Sequence, residues 1–226
     1  MEIRLFCKPN ALKKVGDCPF AHLAANCLNT KKVSFEYMPT PQEEKPQWLL
    51  DDYSGKMPCL WMKTGDDVKC VIESMDIADY IDNNFEPKGS LKTSDKSFLD
   101  SLRFFPTLAQ WIKSKDEEKN TELLSNLEKC LDTLEQKLND SSSSSSSSSG
   151  YLMGDEITIS DCSLVPQLFV LNSVSEIIKG ISWETLLEKR PQLKAYCTRA
   201  FESAELGPAY QKEDVIAGWK KARGDE

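Results

Sequence analysis

Met57 to Phe85, "MPCLWMKTGDDVKCVIESMDIADYIDNNF", is the stretch whose reading decides the fold. "MPCLWMK" and "DVKCVI" read as two strands, and Gly65, Asp66 and Asp67 between them give a hairpin signal. The period then changes: Met75, Ala78, Ile81 and Phe85 are spaced for one face of a helix. Upstream, "EIRLFC" alternates, with Ile3, Leu5 and Cys7 on one side, and reads as a strand. "CPFAHLAANCLN" places Phe20, Leu23, Ala24, Cys27 and Leu28 on a helix face, and "VSFEYM" reads as a second strand. "KPQWLLDDY" fits a short helix or turn. The order is βαβ, a connecting helix, then ββα. A βαβ unit brings a right-handed crossover and a parallel pair. The hairpin adds antiparallel strands, so an α/β domain with a mixed four-stranded sheet is expected.

"EPKGS", Glu86 to Ser90, reads as a linker, and after it the strand signals stop. The expected division is an α/β domain over 1–86 and an all-helical domain over 91–226. Leu99, Leu102, Phe105, Leu108 and Ile112 form one amphipathic stripe, with Pro106 predicting a kink. Leu124, Leu127, Leu131, Leu134 and Leu138 form the next, and later helices are expected from about Thr158 and Pro191. Thr158 and Asp161 have the spacing of a capping box, a folding signal, with Asp in place of the usual Glu or Gln. The serine run at 141–149 cannot bury apolar surface to offset its ordering entropy, so a disordered surface loop is expected there.

The 226 residues are 40% hydrophobic and 28% charged, an ordinary soluble composition, with a net charge of -8. That charge argues against nucleic acid or an anionic membrane as a main partner. No apolar run is long enough to span a bilayer, and "MEIRLFCKPN" has the character of neither a signal nor a transit peptide. Eight cysteines without a C-x-x-C pair read as free thiols in a reducing compartment. The expected location is the cytoplasm, or a chloroplast or other organelle if a targeting segment has been trimmed. With His22 the single histidine, neither a zinc cluster nor a histidine-based protease triad is apparent, and no metal is expected.

The chemistry concentrates at "VGDCPF", Val15 to Phe20. Pro19 suits the first helical position, which places Cys18 at or just before the first turn. Amides there, those of Phe20 and Ala21, point at the sulfur, and the helix dipole favours negative charge. Both effects favour the thiolate, and thiols so placed have pKa values of about 3.5–7.5. Asp17 acts against this, and Lys8 is close enough in the chain to support the thiolate or an anionic substrate. No resolving cysteine stands two residues on, and Cys27 is nine residues along the helix, about 13.5 Å away. The chemistry is therefore expected to be monothiol, with the second thiol supplied by glutathione. Pro58 in "GKMPCL" suits a cis bond, which would turn the Met57 backbone outward to pair with an extended peptide. Ser74 is a candidate N-cap whose helix start suits the γ-glutamyl carboxylate. Lys45 suits the glycine carboxylate.

Together these features resemble the cytosolic glutathione transferase fold, a thioredoxin-like half followed by an all-helical half. "GDCPF", "KPQW" and "EDVIAGW" narrow the resemblance to the glutathione-dependent dehydroascorbate reductases of the plant and algal type. The resemblance implies Cys18 as the catalytic cysteine, and Lys8, Asp17 and Trp219 at the ascorbate pocket. It implies glutathione contacts from Lys8, Asp17, Lys45, Met57, Pro58, Glu73 and Ser74. It further implies a monomer that uses glutathione as co-substrate and no metal, with dehydroascorbate as the second substrate. The expected cycle is ping-pong, through a Cys18 sulfenic acid and a glutathione mixed disulfide. The chain departs from the family at Ala21, His22 and Leu23 after "CPF", at Glu73 in place of Asp, and at Val170 where a histidine is common. His22 is a candidate substitute for that histidine. The alternatives are an omega-like thioltransferase that removes glutathione from mixed disulfides, and a chloride-intracellular-channel-like protein that enters membranes. The segment "CPFAHLAANCLNTKKVSFEY" is too polar for the latter, with Asn26, Asn29, Lys31 and Lys32 inside it.

Overall fold

A computed structural model of the chain describes residues 1–91, 96–144 and 150–225. Its first half comprises β1 (Glu2–Cys7), α1 (Pro19–Thr30), β2 (Glu36–Pro39), α2 (Gln47–Tyr53), β3 (Cys59–Thr64), β4 (Asp67–Ile72) and α3 (Ser74–Asn84). The sheet order is β2-β1-β3-β4, with β1 parallel to β2 and the other pairs antiparallel. This is the mixed sheet expected from the sequence. Leu5 stands opposite Leu60, and Thr64 pairs with Asp67. Asp67 thus belongs to β4, and the turn is made by Gly65, at a positive φ that glycine adopts freely, and Asp66. β2 is shorter than "VSFEYM", because the Val33 amide donates to the Leu28 carbonyl (2.9 Å) and holds that residue on the end of α1.

Both sheet faces are covered. Ile3, Leu5, Leu60 and Met62 pack under α1 and α3 in the main core. Phe6, Leu49 and Cys59 form a second cluster under α2, where Trp48 meets the Phe6 ring edge-on.

The second half contains α4 (Lys96–Leu102), α5 (Phe104–Lys113), α6 (Glu117–Ser144), α7 (Ile159–Lys179), α8 (Trp183–Leu187), α9 (Pro191–Glu202) and α10 (Lys212–Arg223). The core continues from α1 into α7 through Leu164, Val165 and Leu168. The segment joining the halves is pinned by an ion pair at 2.7 Å between Lys31 and Asp82, both almost fully buried. Lys31 also donates to Ser90 Oγ (2.9 Å) and the Pro87 carbonyl, while Asp82 accepts from the Leu91 amide (2.9 Å).

Pro106 does not kink one continuous helix. The chain breaks at Arg103, which has a positive φ, and Pro106 falls in the first turn of α5. Proline supplies no N–H to the carbonyl four residues back and clashes with it. That carbonyl, of Leu102, accepts a hydrogen bond from Cys130 Sγ instead (3.3 Å). The serine run also corrects its expectation. Ser141–Ser144 extend α6, and the Ser141 hydroxyl bonds the carbonyls of Lys137 (2.9 Å) and Leu152 (3.0 Å). Residues 145–149 lie outside the described residues. The capping box at α7 is present: Asp161 accepts from the Thr158 amide and hydroxyl and, at its other oxygen, from Tyr196 and the Leu152 amide.

Candidate active site

The loop from Lys8 to Cys18 folds back on itself. The Gly16 amide donates to the Lys8 carbonyl (2.9 Å), and Pro9 bridges to Val15. A Cβ at position 16 would sit 2.5 Å from that carbonyl oxygen, so only glycine permits the approach. Asn10 caps the loop by accepting from the amides of Leu12 (2.9 Å) and Lys14 (2.8 Å), and donates to Asp214 on α10 (3.0 Å). The fold-back brings Lys8 Nζ to 3.3 Å from Asp17 Oδ1 and sets both beside Cys18. Lys8 is exposed, whereas Asp17 is buried against Gly218 of α10.

Cys18 is the N-cap of α1, with extended backbone and Pro19 as the first helical residue. The amides of Ala21 and Phe20, at the start of the helix beside the sulfur, and the Lys8 ammonium lower its pKa. Burial is larger and opposes them, as does the Asp17 carboxylate, and the thiol is raised above its ordinary value. The helix start moderates the cost of burial and does not by itself keep the thiol ionised, which corrects the sequence expectation. Cys7, almost fully buried, has its thiol pushed up to about 12, by burial first and then by Cys18.

His22 is neither exposed nor at the ligand face. Its Nε2 is 3.0 Å from the Gly16 carbonyl oxygen, and its ring centre lies 4.0 Å from that of Tyr210, the planes tilted by 45°. Burial lowers its pKa to about 4 against the effect of the Gly16 carbonyl, so it is neutral at pH 7 and braces the loop from behind. Val170 is fully buried in the core of α7 and offers no polar group in place of the histidine common in the family.

Cys18 opens into a cleft of about 170 Å³ between the two halves. Lys8 and Asp17 line it together with Phe20, Phe105, Lys113 and Trp219. Phe105 meets Trp219 edge-on at 6.2 Å and Phe20 at 4.9 Å. Beyond the Phe20–Phe105 pair lies a second cavity of about 240 Å³, reached by Ser74 and Arg103.

The remaining candidates stand around the edge of the first half. The Met57–Pro58 bond is cis, with Pro58 buried and Met57 half-buried before β3. The N-cap of α3 is Glu73, at φ 66°, and Ser74 is the first helical residue, so the helix starts one residue earlier than the sequence suggested. A positive φ at a non-glycine residue is uncommon and sets the direction of this helix start. The Glu73 carboxylate pairs with Lys56 (2.9 Å), and Lys45 donates to the Gly55 carbonyl (2.7 Å). The structure thus brings Lys8, Asp17, Cys18 and Trp219 into one cleft, with Ser74 on the neighbouring cavity. Lys45, Met57 and Glu73 line neither space. Phe105, Lys113 and Gly218 were not anticipated: phenylalanine and lysine on an amphipathic helix look like core and surface. Only the glycine inside an otherwise helical run hints at a close approach. Among the described residues there is no cluster of metal-holding side chains, and no helix is long and apolar enough to cross a membrane.

Comparison with known proteins agrees with this geometry. Residues 12–89 match the model of the glutathione S-transferase N-terminal domain, and residues 117–199 match that of the C-terminal domain. A relative from Arabidopsis thaliana, glutathione S-transferase DHAR2, is 31% identical over 211 residues, covering 91% of this chain and 90% of the relative. The probable glutathione S-transferase DHAR1, cytosolic, of Oryza sativa subsp. japonica is 30% identical over 210 residues, covering 91% and 90%. The crystal structure of Chlamydomonas reinhardtii dehydroascorbate reductase superposes with a TM-score of 0.82 over 98% of each chain, at 23% identity. The chain belongs to the glutathione S-transferase family. Within it, the homology is to the plant DHAR proteins. With the family comes the general activity, an oxidoreductase chemistry that uses glutathione as co-substrate.

Proposed function

We propose that this protein reduces dehydroascorbate to ascorbate at the expense of glutathione, with Cys18 as the nucleophile. The observation that carries the reading is the position of Cys18: a partly exposed thiol at the start of α1, with Lys8, Asp17 and Trp219 around one small cleft. The names of the matched relatives support the choice of second substrate.

In this mechanism the thiolate attacks a carbonyl carbon of dehydroascorbate and forms a C–S bond. Water then attacks the sulfur. The C–S bonding pair passes to carbon, ascorbate departs, and Cys18 is left as a sulfenic acid, oxidised by two electrons. A first glutathione displaces water from that sulfur and gives a mixed disulfide. A second attacks the glutathionyl sulfur, releases oxidised glutathione and restores the thiolate. Glutathione is bound through the Met57 backbone, the α3 start at Glu73 and Ser74, and Lys45, which leaves Gly55 for the glycine carboxylate. Lys8 and Asp17, paired beside Cys18, hold the ascorbate and glutathione ligands near it. The protein works as a monomer, and its eight free cysteines suit a reducing compartment, for which we favour the cytoplasm.

Initial rates of ascorbate formation, with both substrates varied, should give the parallel double-reciprocal lines of a ping-pong scheme. Converging lines, or turnover retained by Cys18→Ser, would remove the mechanism. The apolar surroundings of Val170 favour one competing reading, the thioltransferase, because the usual polar group is missing there. A wild-type enzyme that reduces glutathione mixed disulfides but not dehydroascorbate would select it.

A further inference from the structure

Two cations line the Cys18 cleft, and they are differently engaged. Lys8 is paired with Asp17 and acts on the thiol, lowering its pKa. Lys113 is the last residue of α5, a helix end that favours positive charge. Its Nζ lies over the Trp219 ring, 5.9 Å from its centre, and no carboxylate among the described residues pairs with it. With Asp17 committed to Lys8, the lining holds one positive charge in excess, in a chain whose net charge is -8.

The reaction itself supplies the matching negative charge. Dehydroascorbate is neutral on arrival, and ascorbate leaves as an anion. The charge that begins on the Cys18 sulfur moves to the enediolate oxygens when the C–S bond breaks, and the oxidised sulfur becomes neutral. Lys8 serves the first location and stays on Asp17, whereas Lys113 lines the same cleft by the Trp219 ring. Resting on the dehydroascorbate reading, we propose that Lys113 is a catalytic residue that holds the enediolate anion of the two-electron-reduced substrate against Trp219. An ammonium that meets charge only as it develops acts on the transition state and on the product more than on the neutral substrate.

The test compares wild type, Lys113→Met and Lys113→Arg. Charge-assisted hydrogen bonds contribute enough that Lys113→Met should lose about tenfold or more in kcat/KM for dehydroascorbate. Inhibition by added ascorbate should weaken by a similar factor, and Lys113→Arg should recover most of both. Alkylation of Cys18 by uncharged iodoacetamide should proceed at the wild-type rate in all three proteins, which shows that the thiol site is intact. Equal kcat/KM and ascorbate inhibition in wild type and Lys113→Met would overturn the role of Lys113 alone. So would a loss matched by slower alkylation, or one that arginine fails to restore. A wild-type protein that forms no ascorbate would overturn the dehydroascorbate reading, and this assignment with it.

Discussion

Gly218, in the middle of α10, lies so close to the carboxylate of Asp17 that a Cβ at position 218 would overlap it, at 2.9 Å from Cγ. Through this contact the last helix of the chain sets the position of a carboxylate beside the nucleophile, 201 positions earlier in the sequence. Gly218→Ala is expected to cost about 1–3 kcal/mol of stability, the range for forcing an extra carbon into a packed site. The cost should shrink in an Asp17→Ala background, where the colliding group is gone. Urea unfolding of the four proteins measures the coupling, expected at about 0.5–3 kcal/mol. Strictly additive changes would show that the two residues do not meet.

The same carboxylate and Lys8 act on the thiol with opposite signs. Burial and Asp17 raise Cys18, so its alkylation rate should increase with pH up to an inflection above the ordinary thiol value. Asp17→Asn should move that inflection down, and Lys8→Met should move it up. Iodoacetamide kinetics across pH, with the label mapped to Cys18, follow both shifts. Movement in the reverse directions would contradict the assigned electrostatics.

His22 makes a separate pH prediction, made easy to follow because it is the single histidine. Its folded pKa is lowered from 6.5 to about 4 by burial. The unfolded chain therefore binds the proton first, and the stability contributed by neutral His22 is complete above pH 6.5 and lost as pH falls toward 4. The loss is about 3 kcal/mol across that window. The imidazole resonances in an NMR titration should stay in the neutral position at pH 5.5. Titration near 6.5 would place His22 in solvent.

The Lys31–Asp82 pair lies in a nearly dry junction between the halves. Lys31→Met leaves the Asp82 carboxylate without its cation, held by the Leu91 amide alone, and a loss of about 3–5 kcal/mol is expected from chemical denaturation. Replacing both residues with apolar ones of similar volume should recover much of it. A single substitution without effect would mean that water reaches the pair.

The mixed sheet and the order of elements along the chain were legible because most strands and helices of the first half are marked by period or composition, and "DVKCVI" and "EIRLFC" coincide with strands β4 and β1. Elements decided by long-range packing were less legible. Val33 has strand character but is held by α1, and Ser141 has loop character but finds carbonyl partners on α6 and at Leu152. Arg103 breaks the helix three residues before the proline that provokes the break. At the site, Cys18 and Lys8 could be read from position in the chain. The role of His22 could not, since whether an imidazole faces solvent or a buried carbonyl is settled by the loop that folds over it. Lys113 carries no local signal and Gly218 only that of a glycine inside a helical run, and the meeting of α5, α10 and the Lys8–Cys18 loop gives them neighbours.

The central claim, that Cys18 takes the two electrons' worth of oxidation from dehydroascorbate before glutathione acts, is tested most directly by peptide-mapped mass spectrometry. The protein is treated with dehydroascorbate alone, trapped with a sulfenic-acid reagent, and compared with a sample given one equivalent of glutathione after dehydroascorbate. The account predicts a trapped sulfenic acid on the Cys18 peptide in the first sample and a glutathione mixed disulfide on the same peptide in the second. Modification confined to another cysteine, or none at all while ascorbate is still formed, would contradict it.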